Sequence, residues 1–257
     1  MGFLNNPPPC VAMLGVAGMD IEDKAAVACS NGCESTACTH CTQRALAAKQ
    51  HLFTHGDEQR YIYYVHSGCL RLYKTLGNGR RQVIGFSFAG DFIGFGIGPE
   101  FPYNAQSIGR SEVRCLPRGT FHKLALEIPR FAFRLYEATT LELAAAHDLA
   151  LTIGQRNSTA AVASFLLWLS RRNERRGVAP TTISLPMPRT DIADYLGLTG
   201  ETVSRTFTRL KVGGLIRVTR KRLVQLTDMP ALLELAEGMG GEREAFGYAD
   251  GLRRIPH

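Results

Sequence analysis

Apolar positions change their period twice along this chain. Between about residues 50 and 118 they fall in short runs broken by turn signals: YIYYVHSG, LRLYKTLGNGRRQVIGFSFAGD and AQSIGRSEVRCLP. Leu70 and Leu72 alternate with Arg71 and Tyr73, the period of two of a half-buried strand, and Gly77-Asn78-Gly79 marks a hairpin. An antiparallel β-roll, a jelly roll of the cupin kind, is the economical expectation for this stretch.

At Pro129 the pattern becomes helical and stays so to about Asn157. Tyr136, Thr139, Leu143, Ala146, Ala150 and Ile153 recur at steps of three and four, a heptad-like stripe, while Leu135, Leu141 and Leu149 form a second one. Such a helix has two surfaces to bury, one on the β-roll and one on a second copy of itself; burial on all sides within one chain is the other arrangement the stripes permit.

The remaining third reads as short elements with clear stops. ASFLLWLSRRNERRG is an amphipathic helix ending at Gly177, and Pro180, Pro186 and Pro188 bracket TTISL as a strand. TDIADYLG is a short helix with Thr190 as its expected N-cap and Gly197 as its end; Thr199 then caps a helix from 201 to about 212, which Gly213-Gly214 stops. LIRVTRKRLVQL follows as two strands around a basic turn. Two short helices joined by a glycine-containing turn, with a hairpin after them, make a winged helix-turn-helix, and Ala193, Gly197 and Val203 supply its small contact, its turn residue and its apolar anchor. The class expected is α+β: a cysteine-rich arm over 1–45, a β-roll sensory domain over 46–130, a dimerisation helix over 131–157, the winged helix-turn-helix over 158–230 and a tail over 231–257.

Charge sharpens this picture. The chain carries a formal +7, yet residues 155–226 hold 13 lysines and arginines against 4 acids, so the basic surface belongs to the C-terminal third. Phosphate neutralisation accounts for such clustering, and double-stranded DNA is the expected partner; a solvated basic face is the plainer alternative. Glu201, Ser204 and Arg205 share one face of the second helix, where the first turns of a recognition helix meet base edges: Arg205 suits guanine, Glu201 suits cytosine, and Ser204 suits either. Thr190, Thr199, Arg209, Lys211, Arg217, Arg220, Lys221 and Arg222 are better placed for phosphates.

No apolar run is long enough for a membrane span and MGFLNNPPPC has no secretion signal, which leads to the expectation of a cytoplasmic protein with no membrane partner. The seven histidines are scattered, and the glycine-rich GFSFAGDFIGFGIG lacks the lysine or acidic partner of a nucleotide loop, so catalysis is not expected.

LPMPRTDIADYLGLTGETVSRTFTRL resembles the DNA-binding segment of the FNR/FixK branch of the CRP/FNR transcription regulators, and LYKTLGNGRRQVIGFSFAGDFIGF extends the resemblance over residues 50–228. It implies a homodimer reading a TTGAT-N4-ATCAA-like palindrome through Glu201, Ser204 and Arg205, with RNA polymerase as a further partner and genes of low-oxygen metabolism as targets. Oxygen-switched relatives carry an acidic residue on the helix seam where this chain has Ala146.

The signal is less determined. Cyclic-nucleotide members need an arginine and serine after the turn that here reads AGDFIGFGIGPEFPYNAQSIG, where no arginine occurs before Arg110, so no cyclic nucleotide is expected. The resemblance implies a [4Fe–4S] cluster on N-terminal cysteines and one on the roll, for which Cys29, Cys33, Cys38, Cys41 and Cys115 are the candidates, with spacings that depart from the family's by a residue. The four clustered cysteines also suit a closed zinc site, and reactive thiols without metal are a third reading. Cys10 and Cys69 have no assigned role.

Overall fold

The computed structural model describes residues 42–96, 98–154, 157–220 and 222–237, with the backbone alone at 152–154 and 220. Strands β1 Thr42–Leu46, β2 His51–Phe53, β3 Tyr61–Ser67, β4 Cys69–Thr75, β5 Arg81–Phe88, β6 Phe92–Ile93, β7 Asn104–Ser107 and β8 Ser111–Pro117 form two antiparallel sheets. Their orders, β1-β8-β3-β6 and β2-β7-β4-β5, make successive strands switch sheets at every step except β4 to β5, as in a jelly roll. The exception is the hairpin marked by its glycines: Leu76 donates to the Arg80 carbonyl at 2.8 Å, and Gly79 takes a left-handed φ of 76°. Leu70 and Leu72 lie between the sheets with Leu52, Val65, Ile93 and Val113, whereas Arg71 and Tyr73 face outward.

Strand β1 corrects the expected arm, since it pairs with β8 from Thr42↔Cys115 to Leu46↔Ser111. TQRAL is an edge strand with only Leu46 buried, so it carries no alternation to read. A second correction is α1, Arg118–Glu127, where the sequence carries no readable helical stripe; Phe121 and Leu124 on it cover Ile62 and Leu116 on the outer face of the first sheet. Helix α2, Pro129–Gly154, follows directly and joins that cluster through Phe131 and Leu135.

Past α2 come α3 Ser158–Arg175, β9 Thr182–Ser184, α4 Arg189–Leu196, α5 Gly200–Val212, β10 Ile216–Arg220, β11 Leu223–Leu226 and α6 Met229–Glu237. The strands form one sheet, β10-β11-β9. Helix α6 overturns part of the expected tail: Leu232 is buried, and Met229, Leu235 and Ala236 pack around the same core. Its apolar spacing is obscured by the glycine- and charge-rich residues after it. The core does not stop at a domain boundary, because Cys69, Val83 and Phe86 of the roll belong to one cluster with Phe165, Leu196 and Val203.

Candidate nucleic-acid interface

Helices α4 and α5 are joined through Gly197, Leu198 and Thr199. Gly197 holds a φ of 67°, a conformation that a Cβ disfavours, and its N–H and that of Leu198 both reach the Ala193 carbonyl. Thr199 is the N-cap of α5, its hydroxyl accepting from the Thr202 N–H at 3.1 Å. Thr190 is not the cap of α4: the cap is Pro188, whose fixed φ suits a helix start, and Thr190 stands exposed in the first turn.

Helix α5 is sharply two-faced. Val203, Thr206, Phe207 and Leu210 are buried at the spacing of one helical face, with Ala193 of α4 in the same core as Val203. Glu201, Ser204 and Arg205 are exposed on the other side. Arg205 and Glu201 form an ion pair one turn apart, with both side chains at least 70% exposed, and the Ser204 hydroxyl donates to the Gly200 carbonyl at 2.8 Å. Three polar groups thus present donors and acceptors to the outside while the fold uses the opposite face.

The positively charged surround is spread over several elements. Arg209 and Lys211 are exposed on the last turns of α5, Arg209 donating to the Thr159 hydroxyl at 2.9 Å. Arg217 on β10 and Arg222 before β11 are exposed on the wing. Lys221 lies outside the described residues, as does the side chain of Arg220. A residue missed in the sequence is Arg189, whose guanidinium lies 3.3 Å from the centre of the Phe207 ring and whose burial pulls its pKa down to about 10, leaving it charged at neutral pH. With Arg222 it lines a cleft of about 130 Å³ beside the wing. Its opening position after Pro188 was the only sequence signal.

The proposed seam on α2 is bare. Tyr136, Thr139, Leu143, Ala146 and Ala150 are all exposed, Tyr136 at 65% and Leu143 at 57%, and the Thr139 hydroxyl is turned back onto the Leu135 carbonyl. The side chain of Ile153 lies outside the described residues. Of the second stripe, Leu135 and Leu149 reach buried clusters while Leu141 stays exposed, so that stripe is only partly covered within the chain.

Inside the roll, the space beneath residues 94–103 is filled by rings. Phe53 stacks on Phe101 with centroids 3.8 Å apart, Tyr63 and Tyr103 flank Phe53, and Gly94 lies so close to Phe101 that a Cβ would come within 2.9 Å. Cys29, Cys33, Cys38, Cys41 and Cys10 lie outside the described residues. Cys115 is 7% exposed on the inward face, in one cluster with Leu46, Tyr63 and Val113. Burial pushes its thiol pKa up, against a smaller opposing effect of a hydrogen bond from Thr42. Cys115 stands opposite Thr42, the residue that follows Cys41 in the sequence, across the β1–β8 pair. Among the described residues, no group of three or more His, Cys, Asp or Glu is gathered for a metal.

A β-roll followed by a long helix and a winged helix-turn-helix defines a class of DNA-binding regulators. A Crp-like helix-turn-helix family matches residues 160–235, and the cyclic nucleotide-binding domain family matches residues 43–127. The transcriptional activatory protein AadR of Rhodopseudomonas palustris is 39% identical over 70% of this chain and 85% of its own. The nitrogen fixation regulation protein FixK of Bradyrhizobium diazoefficiens is 41% identical over 65% of this chain and 70% of its own. Among solved structures, FixK2 from Bradyrhizobium japonicum superposes with a TM-score of 0.69 at 33% identity, covering 76% of this chain and 96% of that one. The chain belongs to the CRP/FNR family, in its FixK branch, and is a transcription regulator of the FNR/FixK type. No helix among the described residues is long and apolar enough to cross a membrane.

Proposed function

We propose that two copies of the chain pair along α2 and present their α5 helices to the halves of a TTGAT-N4-ATCAA-like palindrome. Glu201, Ser204 and Arg205 read base edges, and Thr190, Thr199, Arg209, Lys211, Arg217, Arg220, Lys221 and Arg222 hold phosphates. The observation that carries this reading is the row Glu201, Ser204, Arg205, exposed on a helix whose other face is sealed in the core. The bare apolar stripe of α2 supports pairing, since more than half of Tyr136 and of Leu143 stands in solvent. The protein acts in the cytoplasm on genes of low-oxygen metabolism, together with RNA polymerase, and is not an enzyme. Fluorescence anisotropy on the palindrome, on single-base variants and on random duplex tests it. Arg205→Ala should cost about 1–3 kcal/mol at one base pair per half-site and less on random DNA; equal losses on both rule out base reading by Arg205.

The signal proposed is not a cyclic nucleotide. Aromatic side chains occupy the roll beside Gly94 and Phe101, and residues 89–109 contain no arginine to meet a phosphate. An oxygen-labile [4Fe–4S] cluster is the reading we favour, and a bound cluster would supply the redox sensitivity. Its candidate ligands are Cys29, Cys33, Cys38 and Cys41 together with Cys115, which lies opposite the residue that follows Cys41, whereas a structural zinc would use the four clustered cysteines alone. Anaerobic purification with iron, sulfide and zinc analysis before and after air distinguishes the two metals. Cys115→Ser should lower bound iron and sulfide if the cluster is present and leave bound zinc unchanged; iron and sulfide that persist in Cys115→Ser would remove Cys115 from the ligand set.

A further inference from the structure

Three strands of the roll converge on the first helix of the reading motif. Asp191 of α4 has a fully buried side chain, and both its oxygens accept from Nη1 of Arg71 on β4 at 2.8 Å. Arg81 of β5 adds a bond from Nη2 to Asp191 at 2.7 Å and two to Oδ2 of Asp194, at 3.0 Å from Nε and 2.6 Å from Nη2. Gln106 of β7 holds Arg71 from behind, accepting from its Nε at 3.0 Å while donating to the Lys49 carbonyl at 2.7 Å. Tyr195, on the same helix, packs its ring against Phe86 of β5 with centroids 5.4 Å apart.

An apolar contact alone tolerates sliding, whereas charge-assisted hydrogen bonds from guanidinium to carboxylate fix direction. With Asp191 and Asp194 three residues apart on α4 and Arg81 bonded to both, these bonds fix both the position of that helix and its rotation about its own axis. Other ties between the motif and the pairing helix are weaker in this respect. The chain crosses once, between Gly154 and Ser158, and the Asp148–Arg171 pair is 3.8 Å apart with both side chains more than half exposed, the kind of pair that orients little.

We propose that Arg71 and Arg81, acting through Asp191 and Asp194, are positioning residues for DNA reading: they set the angle of α5 relative to α2 and so select the spacer between half-sites. This rests on the paired, palindrome-reading protein of the preceding section. Adding one base pair between half-sites turns one of them by about 35° and shifts it by about 3.4 Å, so a rigidly held motif discriminates spacers and a loosely held one does not. Base reading within each half-site depends on Glu201, Ser204 and Arg205 and is left intact.

The test uses the full chain and its Arg71→Gln, Arg81→Gln and Asp191→Asn variants. Anisotropy is measured on duplexes with identical half-sites and spacers of about two to six base pairs, and on one half-site with and without a base change. Circular dichroism melts identify folded variants. The unaltered chain should prefer one spacer by on the order of tenfold over its neighbours, and the variants should flatten this to about twofold while keeping the discrimination within a half-site. Folded variants that keep the full spacer preference overturn the proposal, as do variants that lose half-site discrimination in parallel. If Asp191→Asn does not fold, Arg81→Gln decides, since the Arg81 and Asp194 side chains are about one-third exposed. An unaltered chain that distinguishes bases but no spacers removes the positioning proposal; one that distinguishes neither removes the DNA reading beneath it.

Discussion

At the scale of single residues, the free protein holds two of the groups proposed to read bases in contact with one another. Glu201 and Arg205 satisfy each other across one helical turn, but the exposure of both side chains keeps that pair weak, so DNA can displace it at little cost. The opposite holds for the two described cysteines. Cys69 and Cys115 are free and buried, and burial is the largest influence on both, raising their thiol pKa values. A raised pKa means less thiolate near neutral pH, and thiolate is the reactive form. Alkylation followed by mass spectrometry should leave Cys69 and Cys115 unmodified until denaturant is added; rapid native labelling of either would contradict its placement. Asp191 shows where residue-level reading stops. In TDIADYLG it looks like an ordinary acid in a first turn, and its partner Arg71 is 120 positions away, so no local spacing announces the pair.

Elements with a strong period were legible, and those without one were not. The β4–β5 hairpin, α3, α4 and α5 declare themselves through alternation, amphipathic spacing and glycine stops. Strand β1 is exposed at four of its five positions, α1 buries only two side chains, and α6 borders a glycine-rich segment, so none of the three carries a readable stripe. The exposed row Glu201, Ser204 and Arg205 was legible because α5 is held by its other face alone. Helix α5 also rests on a local device, the Thr199 cap, and Thr199→Ala should lower stability by about 1 kcal/mol in a denaturant titration. For α2 the relevant measurement is association. Ala146 stands in the bare apolar stripe, so Ala146→Asp would set two like charges across the seam and should weaken dimerisation about tenfold or more by sedimentation. An unchanged profile would move the seam off this face.

For the whole molecule, the shared core and the ion pairs around Asp191 mean that the roll and the reading motif are one packed body rather than two beads on a helix. Exposed cations stand on α5 and the wing, at Arg205, Arg209, Lys211, Arg217 and Arg222, so the proposed binding to DNA should depend strongly on salt. With Arg209, Lys211, Arg217, Arg220, Lys221 and Arg222 on phosphates in each protomer of the proposed dimer, log Kobs against log salt should fall with a slope of about −11. Removing one of these cations removes two contacts per dimer. Arg217→Ala should therefore make the slope shallower by about 2, and it should weaken the palindrome and random duplex alike, because a phosphate contact carries no sequence information. Arg205→Ala should instead change the ratio between the two duplexes. A slope that does not respond to Arg217→Ala would take the wing off the phosphates, and equal behaviour of the two variants would dissolve the division between orienting and reading residues on which the proposed interface is built.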